Sequence, residues 1–148
     1  MPNNPTNSNY NDNNIFAKIL NGELPCHKIY EDDKTLAFLD INPSATGHTL
    51  VIPKYPAVEL SDLPLDYAAA IFATAQKVLQ AQRSVLGVHG VCQLQFNGET
   101  AGQSVFHYHM HLIPEHYRVC LASTLPTPSN DELSALAKQL STAIAKFA

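Results

Sequence analysis

What this chain is short of narrows its function before any motif is considered. It has three cysteines, at positions 26, 92 and 120, with no Cys-x-x-Cys spacing. An odd, widely spaced set fits reduced thiols in a cytosol better than a secreted disulfide framework. Charge is sparse too: 15% of the 148 residues are charged, with nine Lys and Arg against thirteen Asp and Glu, for a net charge of -4. No basic run stands out, which argues against binding polymeric nucleic acid through its backbone but leaves a small nucleotide open as a ligand. No stretch approaches the roughly 18 consecutive apolar residues of a membrane span, and the N-terminus has neither the basic start nor the apolar core of a signal peptide. The expectation is a cytoplasmic, soluble protein with no membrane partner. With 45% hydrophobic residues, the chain can bury one real core.

The first residues are rich in Asn and lack apolar periodicity, so burial cannot offset the entropy of ordering them. A disordered tail is expected over residues 1–13, followed by a single domain over 14–148. Ile15 to Leu20, preceded by Asn13 and Asn14 and stopped by Asn21-Gly22, reads as a short helix. Lys28 to Glu31, Thr35 to Asp40 and His48 to Pro53 are β-compatible runs separated by turn residues. Leu65 to Leu86 carries Ala68, Ile71, Phe72, Ala75, Val78 and Leu79 at three-and-four spacing, with Gly87 behind it, and predicts the main helix. Gly90 to Phe96 reads as a strand, Asn97 to Gln103 as a glycine-containing loop and Val105 to Pro114 as a further strand. Ser129 to Glu132 resembles a capping box ahead of an amphipathic helix bearing Leu133, Leu136, Ala137, Leu140, Ile144 and Phe147. Strands broken by one long helix favour an α+β fold with a largely antiparallel sheet.

The predicted strand from Val105 holds histidine at 107, 109 and 111, with Tyr108, Met110 and Leu112 between and after them. Alternate residues of an extended chain share a face, roughly 6.6–7 Å apart, so three imidazoles would line one groove while the apolar residues face a core. A metal site is disfavoured because rings spaced along a straight strand converge poorly on one atom about 2 Å from each nitrogen. No cysteine accompanies them, and neither metal nor cofactor is expected. Covalent catalysis at phosphorus fits better: imidazole is a neutral nucleophile or proton donor near pH 7. The preceding loop, Asn97 to Ser104, has glycines that allow close backbone approach and N–H and hydroxyl groups that can cradle an anion.

His107 to Ile113 resembles the signature of the histidine triad (HIT) family, in which three histidines alternate with apolar residues. The resemblance extends to Ile15 to Pro25, Leu36 to Pro43 and Gly47 to Lys54, and covers roughly residues 14–114. It is similar to the Hint branch of nucleoside phosphoramidases and purine-nucleotide binders; His111 stands where a related transferase branch has glutamine. The resemblance implies a HIT-like sheet of about five antiparallel strands with one long helix, a short N-terminal helix and an added C-terminal helix in a 115–148 extension. It implies that His109 attacks the α-phosphorus of a purine nucleoside 5'-phosphoramidate to form a nucleotidyl-histidine, assisted by His107, His111, His48 and Ser104. Asp40 would take the ribose hydroxyls, and Ile15, Phe16, Ile19, Phe38 and Ile41 would form the base slot. Asn97, Gln103 and Val105 would lie near sugar and phosphate. Dinucleoside polyphosphate hydrolysis, or nucleotide binding with vestigial hydrolysis, are the alternatives. A homodimer joined through its sheets is implied as well. Asn14 and Ala17 stand where many bacterial relatives carry a zinc-binding cysteine pair, so no structural zinc is expected. His27, His89 and His116 are expected to be surface or satisfied residues.

Overall fold

The computed structural model describes residues 10–115 and 125–147, with residue 147 described by its backbone alone. Most of the expected tail, Cys120, His116 and the Phe147 side chain lie outside the described residues. Among those described, the order is α1 (Ile15–Leu20), β1 (Lys28–Glu31), β2 (Thr35–Leu39), β3 (Thr49–Pro53), α2 (Leu65–Leu86), β4 (Val91–Leu94), β5 (Met110–Pro114) and α3 (Asn130–Phe147). The strands form one antiparallel sheet in the order β1-β2-β3-β5-β4. No helix among the described residues is long and apolar enough to cross a membrane.

The alternation of the central strands divides the molecule into two layers. Ala37, Leu39, Val51, Met110 and Leu112 point to one face, where they pack with Ile71, Ala75 and Val78 of α2 and Leu133, Leu140 and Ile144 of α3. Leu36, Phe38, Leu50 and Ile52 point to the other, where the main cover is Phe16 of α1. The first face is closed by two helices, whereas one short helix leaves much of the second free for a ligand. Phe72, expected in the core stripe of α2, is instead 52% exposed. The buried stripe runs through Ile71, Thr74, Ala75, Val78, Ala81 and Gln82, and Phe72 sits about 100° around the helix from Ile71.

Two corrections concern the ends of elements. Tyr10, expected within the disordered tail, is half-buried against the domain, with its hydroxyl 2.7 Å from His107 Nδ1. The histidine strand is shorter than expected: β5 begins at Met110, so His107 and His109 precede the ladder and only His111 belongs to it. Continuing the β3–β5 register past Val51 and Met110 would set Pro53 opposite Tyr108. Proline has no N–H to give, and its carbonyl is bonded to the His107 ring. The backbone N–H of Tyr108 donates to Ala57 instead, at 2.8 Å.

Gln82, buried in α2, donates through Nε2 to the carbonyls of Gly47 and Leu112, each at 3.0 Å. These flank His48 and His111, so a single amide registers the long helix against both. Gly47 has φ of +87°, and a Cβ there would lie 2.5 Å from Leu86 Cδ1. Gly47→Ala is therefore expected to cost about 2 kcal/mol, through left-handed backbone and a displaced leucine. That corresponds to a fall in Tm of roughly 4–8 °C by calorimetry; an unchanged Tm would mean that this turn does not bear on stability.

Candidate active site

Although His107 and His109 lie before the ladder, their side chains keep the alternation the sequence suggested. Tyr108, Met110 and Leu112 are in the core, while the Phe16 ring stands edge-on to His109 at 4.9 Å and to His107 at 6.4 Å. The rings of His109 and His111 are 5.0 Å apart between centroids. His109 and His111 line a cavity of about 810 Å³ between α1 and the open face of the sheet. Its volume is in the range of small-molecule sites, about 300–1,000 Å³.

Hydrogen-bond partners set the tautomer of each ring. His109 Nδ1 is 2.7 Å from the His107 carbonyl; a carbonyl only accepts, so Nδ1 carries the hydrogen and Nε2 keeps its lone pair. His107 Nε2 donates to the Pro53 carbonyl at 2.9 Å, which makes its Nδ1 the acceptor of the Tyr10 hydroxyl. The Ser44 backbone N–H donates to His48 Nδ1 at 3.0 Å. His48 therefore carries its hydrogen on Nε2 and donates to His111 Nδ1 at 2.9 Å, leaving a hydrogen on His111 Nε2. The cavity is thus walled by an imidazole lone pair on His109 and an imidazole N–H on His111, a nucleophile beside a donor for developing negative charge.

A HIT domain model matches residues 21–118. The chain belongs to the HIT domain family. It is 46% identical over 105 residues to Protein hit of Bacillus subtilis, covering 71% of this chain and 72% of that protein. It is 38% identical over 133 residues to an adenosine 5'-monophosphoramidase of Schizosaccharomyces pombe, covering 88% and 97%. Among solved structures, a Hit-like protein of Bartonella henselae superimposes with a TM-score of 0.83 at 37% identity, covering 90% of this chain and 98% of that one.

Burial sets the charge of the HIT histidines. It pulls His107 down to about 4, against the help of the Pro53 carbonyl. His111 falls to about 3, first through burial and then through its neighbours His109 and His48. His109 and His48 are lowered as well, burial again being the main cause and Asp40 opposing it in both. All four rings are therefore neutral near pH 7.

Ile15, Phe16, Ile19, Phe38 and Ile41 also line the cavity, as do Asp40, Ser104 and Val105. Ile15 and Ile41 are 50% and 58% exposed at its rim, an arrangement suited to an apolar ligand. Asp40 Oδ1 accepts the Asn42 backbone N–H at 2.9 Å, and Oδ2 lies 3.6 Å from His48 Nε2. The carboxylate thus caps its turn and retains acceptor capacity. Asp40, His48 and His111 have donor atoms within 4.8 Å of one another, a grouping that could suit a metal. Because Ser44 occupies His48 Nδ1, the nitrogen a metal would need carries the hydrogen, and the group forms a hydrogen-bonded pair beside a carboxylate.

His107, His48, Asn97 and Gln103 are not on the cavity wall. The Asn97 side-chain Oδ1 accepts from Leu60 N and Gln95 Nε2. The Gln103 amide bonds to Gly98, Val58 and Val105. The expected cradle is largely closed on itself, since the N–H groups of Gly98, Ala101, Gly102 and Gln103 all have partners within the loop. Ser104, exposed at the wall, is the polar group it contributes. Sequence reasoning missed Leu24 to His27, Leu39, Asn42, Leu50 and Asn130, which also line the wall, as well as Tyr10 and Gln82. His27, expected to be a surface or satisfied residue, is half-buried at this wall with its Nδ1 3.3 Å from Ser134 Oγ.

The lowered histidines tie stability to pH. An unfolded histidine titrates near 6.5, so between about pH 6.5 and 4 the unfolded chain binds a proton at His107 that the folded chain refuses. Stability is complete above that window and falls as acid is added through it, His111 extending the fall to about pH 3. Urea midpoints taken from neutral pH downward are expected to decline across this interval, and His111→Gln to reduce the slope. A flat profile would contradict the burial of these rings.

Proposed function

We propose that this HIT protein is a nucleotide hydrolase that cleaves purine nucleoside 5'-phosphoramidates through a nucleotidyl-histidine intermediate on His109. The observation that carries the reading is the His109 Nδ1–H to His107 carbonyl bond of 2.7 Å, which leaves Nε2 as a neutral nucleophile at the cavity wall. The related S. pombe protein bears the name adenosine 5'-monophosphoramidase, which supports the same substrate class.

The apolar residues of α1 and β2 hold the base, Asp40 accepts the ribose hydroxyls through its remaining lone pairs, and Ser104 and His111 Nε2–H donate to phosphate oxygens. His109 Nε2 attacks the α-phosphorus; the N–P bond to histidine forms as the bond to the amine breaks. An anionic phosphate raises the proton affinity of the His111–His48 pair, and a proton held there leaves with the amine. Water then displaces histidine from phosphorus, its hydroxyl passing to the nucleotide and its proton restoring the pair. Products are a nucleoside monophosphate and a free amine. Dinucleoside polyphosphates undergo the same attack with a different leaving group, and relative rates on the two substrates decide between them. A protein that only binds nucleotide would show calorimetric binding with neither turnover nor adduct.

Cys26 and Cys92, the cysteines among the described residues, are unpaired, which supports a cytoplasmic setting. A homodimer is part of the same proposal: among the described residues β4 has a strand neighbour on one side only, and the half-exposed Phe72 offers apolar surface. Sedimentation equilibrium is expected to return twice the chain mass, and a monomer at micromolar concentration would remove the dimer from the proposal.

His109→Ala is expected to lower turnover of an amine-linked adenosine monophosphate by roughly 10⁴-fold or more. Intact-protein mass spectrometry after rapid quenching is expected to find one added nucleoside monophosphate on the wild type and none on the variant. Equal rates in the two proteins would end the reading.

A further inference from the structure

We infer that Tyr10 is a positioning residue for the histidine row: its hydroxyl locks His107 in one tautomer and so steadies the carbonyl that orients His109, a role that rests on the hydrolase reading above. His107 is 1% exposed, and both ring nitrogens of a buried imidazole need partners. Nε2 is bonded to the Pro53 carbonyl, so Nδ1 requires a donor, and Tyr10 Oη lies 2.7 Å from it. The direction of that bond is also determined. Asn14 Nδ2 donates to the same hydroxyl oxygen at 3.1 Å, which leaves the phenol's own hydrogen for His107. Partial burial raises the Tyr10 pKa, so the phenol keeps its proton across the working range.

Residue 107 needs this support because β5 starts three residues later. Its backbone has no strand ladder to hold it. The stretch before β5 is anchored by the Tyr108 N–H on Ala57, the His107 ring on Pro53 and Tyr10 on that ring. Tyr10 is also edge-on to His107, with centroids 5.7 Å apart. Asn14 links this anchor to the opposite wall of the site. Its side-chain oxygen caps α1 through Ala17 N at 2.9 Å, and α1 carries Phe16 against His109. A residue 97 positions away in sequence thereby joins the histidine row to the helix that faces it.

If Tyr10 fell away, His107 Nδ1 would be a buried acceptor without a donor, and the ring would be free to exchange tautomers at the expense of its Pro53 bond. The carbonyl of His107 would then wander, and with it the aim of His109 Nε2, which affects the chemical step more than substrate binding.

The test is Tyr10→Phe in the full chain, which keeps the ring and deletes the hydroxyl. Nitrogen-15 spectra of the imidazoles and steady-state kinetics on the amine-linked nucleotide are measured on both proteins. In the wild type, His107 is expected to hold its hydrogen on Nε2 alone and His109 on Nδ1 alone. In the variant, the His107 nitrogens are expected to move toward averaged values, with kcat falling about tenfold, the equivalent of about 1.4 kcal/mol, and KM within about twofold. Should Tyr10→Phe melt below the assay temperature, Asn14→Ser replaces it; that variant keeps a helix cap but loses the amide donor, and the same changes are expected at smaller size. Unchanged imidazole signals and unchanged kcat would overturn the role of Tyr10. A tautomer shift in a protein whose wild type turns over no nucleotide would overturn the hydrolase reading alone.

Discussion

The hydrogen bond from His109 Nδ1 to the carbonyl of His107, 2.7 Å long, is the contact on which the rest of the site depends. It is made within two residues of the same chain, yet it decides which nitrogen of His109 faces the cavity with a lone pair. An imidazole free to choose its tautomer would present that lone pair to the cavity only part of the time. The fold removes that choice by leaving the His107 carbonyl outside the sheet, where a side chain can claim it.

Burial supplies the second condition. A protonated imidazole is no nucleophile, and the ordinary histidine pKa of about 6.5 would leave a fraction charged near neutrality. Enclosure by Phe16, the sheet and the neighbouring rings lowers the pKa of every member of the cluster. The same desolvation makes any unsatisfied nitrogen costly. Hence the number of specific partners: Pro53 and Tyr10 for His107, Ser44 and His111 for His48, and the His107 carbonyl for His109. Neutral rings and fixed tautomers have one origin, the transfer of polar rings from water into a packed layer.

Much of the architecture was legible in the pattern of residues. Asn14, Gly87 and Ser129 mark helix ends because their side chains or backbone freedom satisfy terminal groups locally, and α1 and α2 begin and end as expected. The strands β1 to β3 fall within the β-compatible runs that turn residues separate. The structure adds what distant partners decide. Asn97 and Gln103 looked like ligand groups, but the loop folds back so that their amides bind Leu60, Val58 and Val105. Val105 to His109 looked like strand, but the facing chain offers Pro53, which cannot continue a ladder. Tyr10 sat in a segment without periodicity, and its contact crosses almost the whole chain.

The sequence by itself determined that three imidazoles would stand on one side of an extended segment and the apolar residues on the other, because a period of two requires only local backbone geometry. It also determined the family, since His107 to Ile113 and the segments around Asp40 and His48 carry specific residues in a specific order. Only the tertiary structure decided which nitrogen of each ring holds its hydrogen, because that choice belongs to partners such as Pro53, Ser44 and Tyr10 brought together from separate parts of the chain. The neutrality of the rings was decided there as well, since desolvation is a property of the packed layer and not of any one residue.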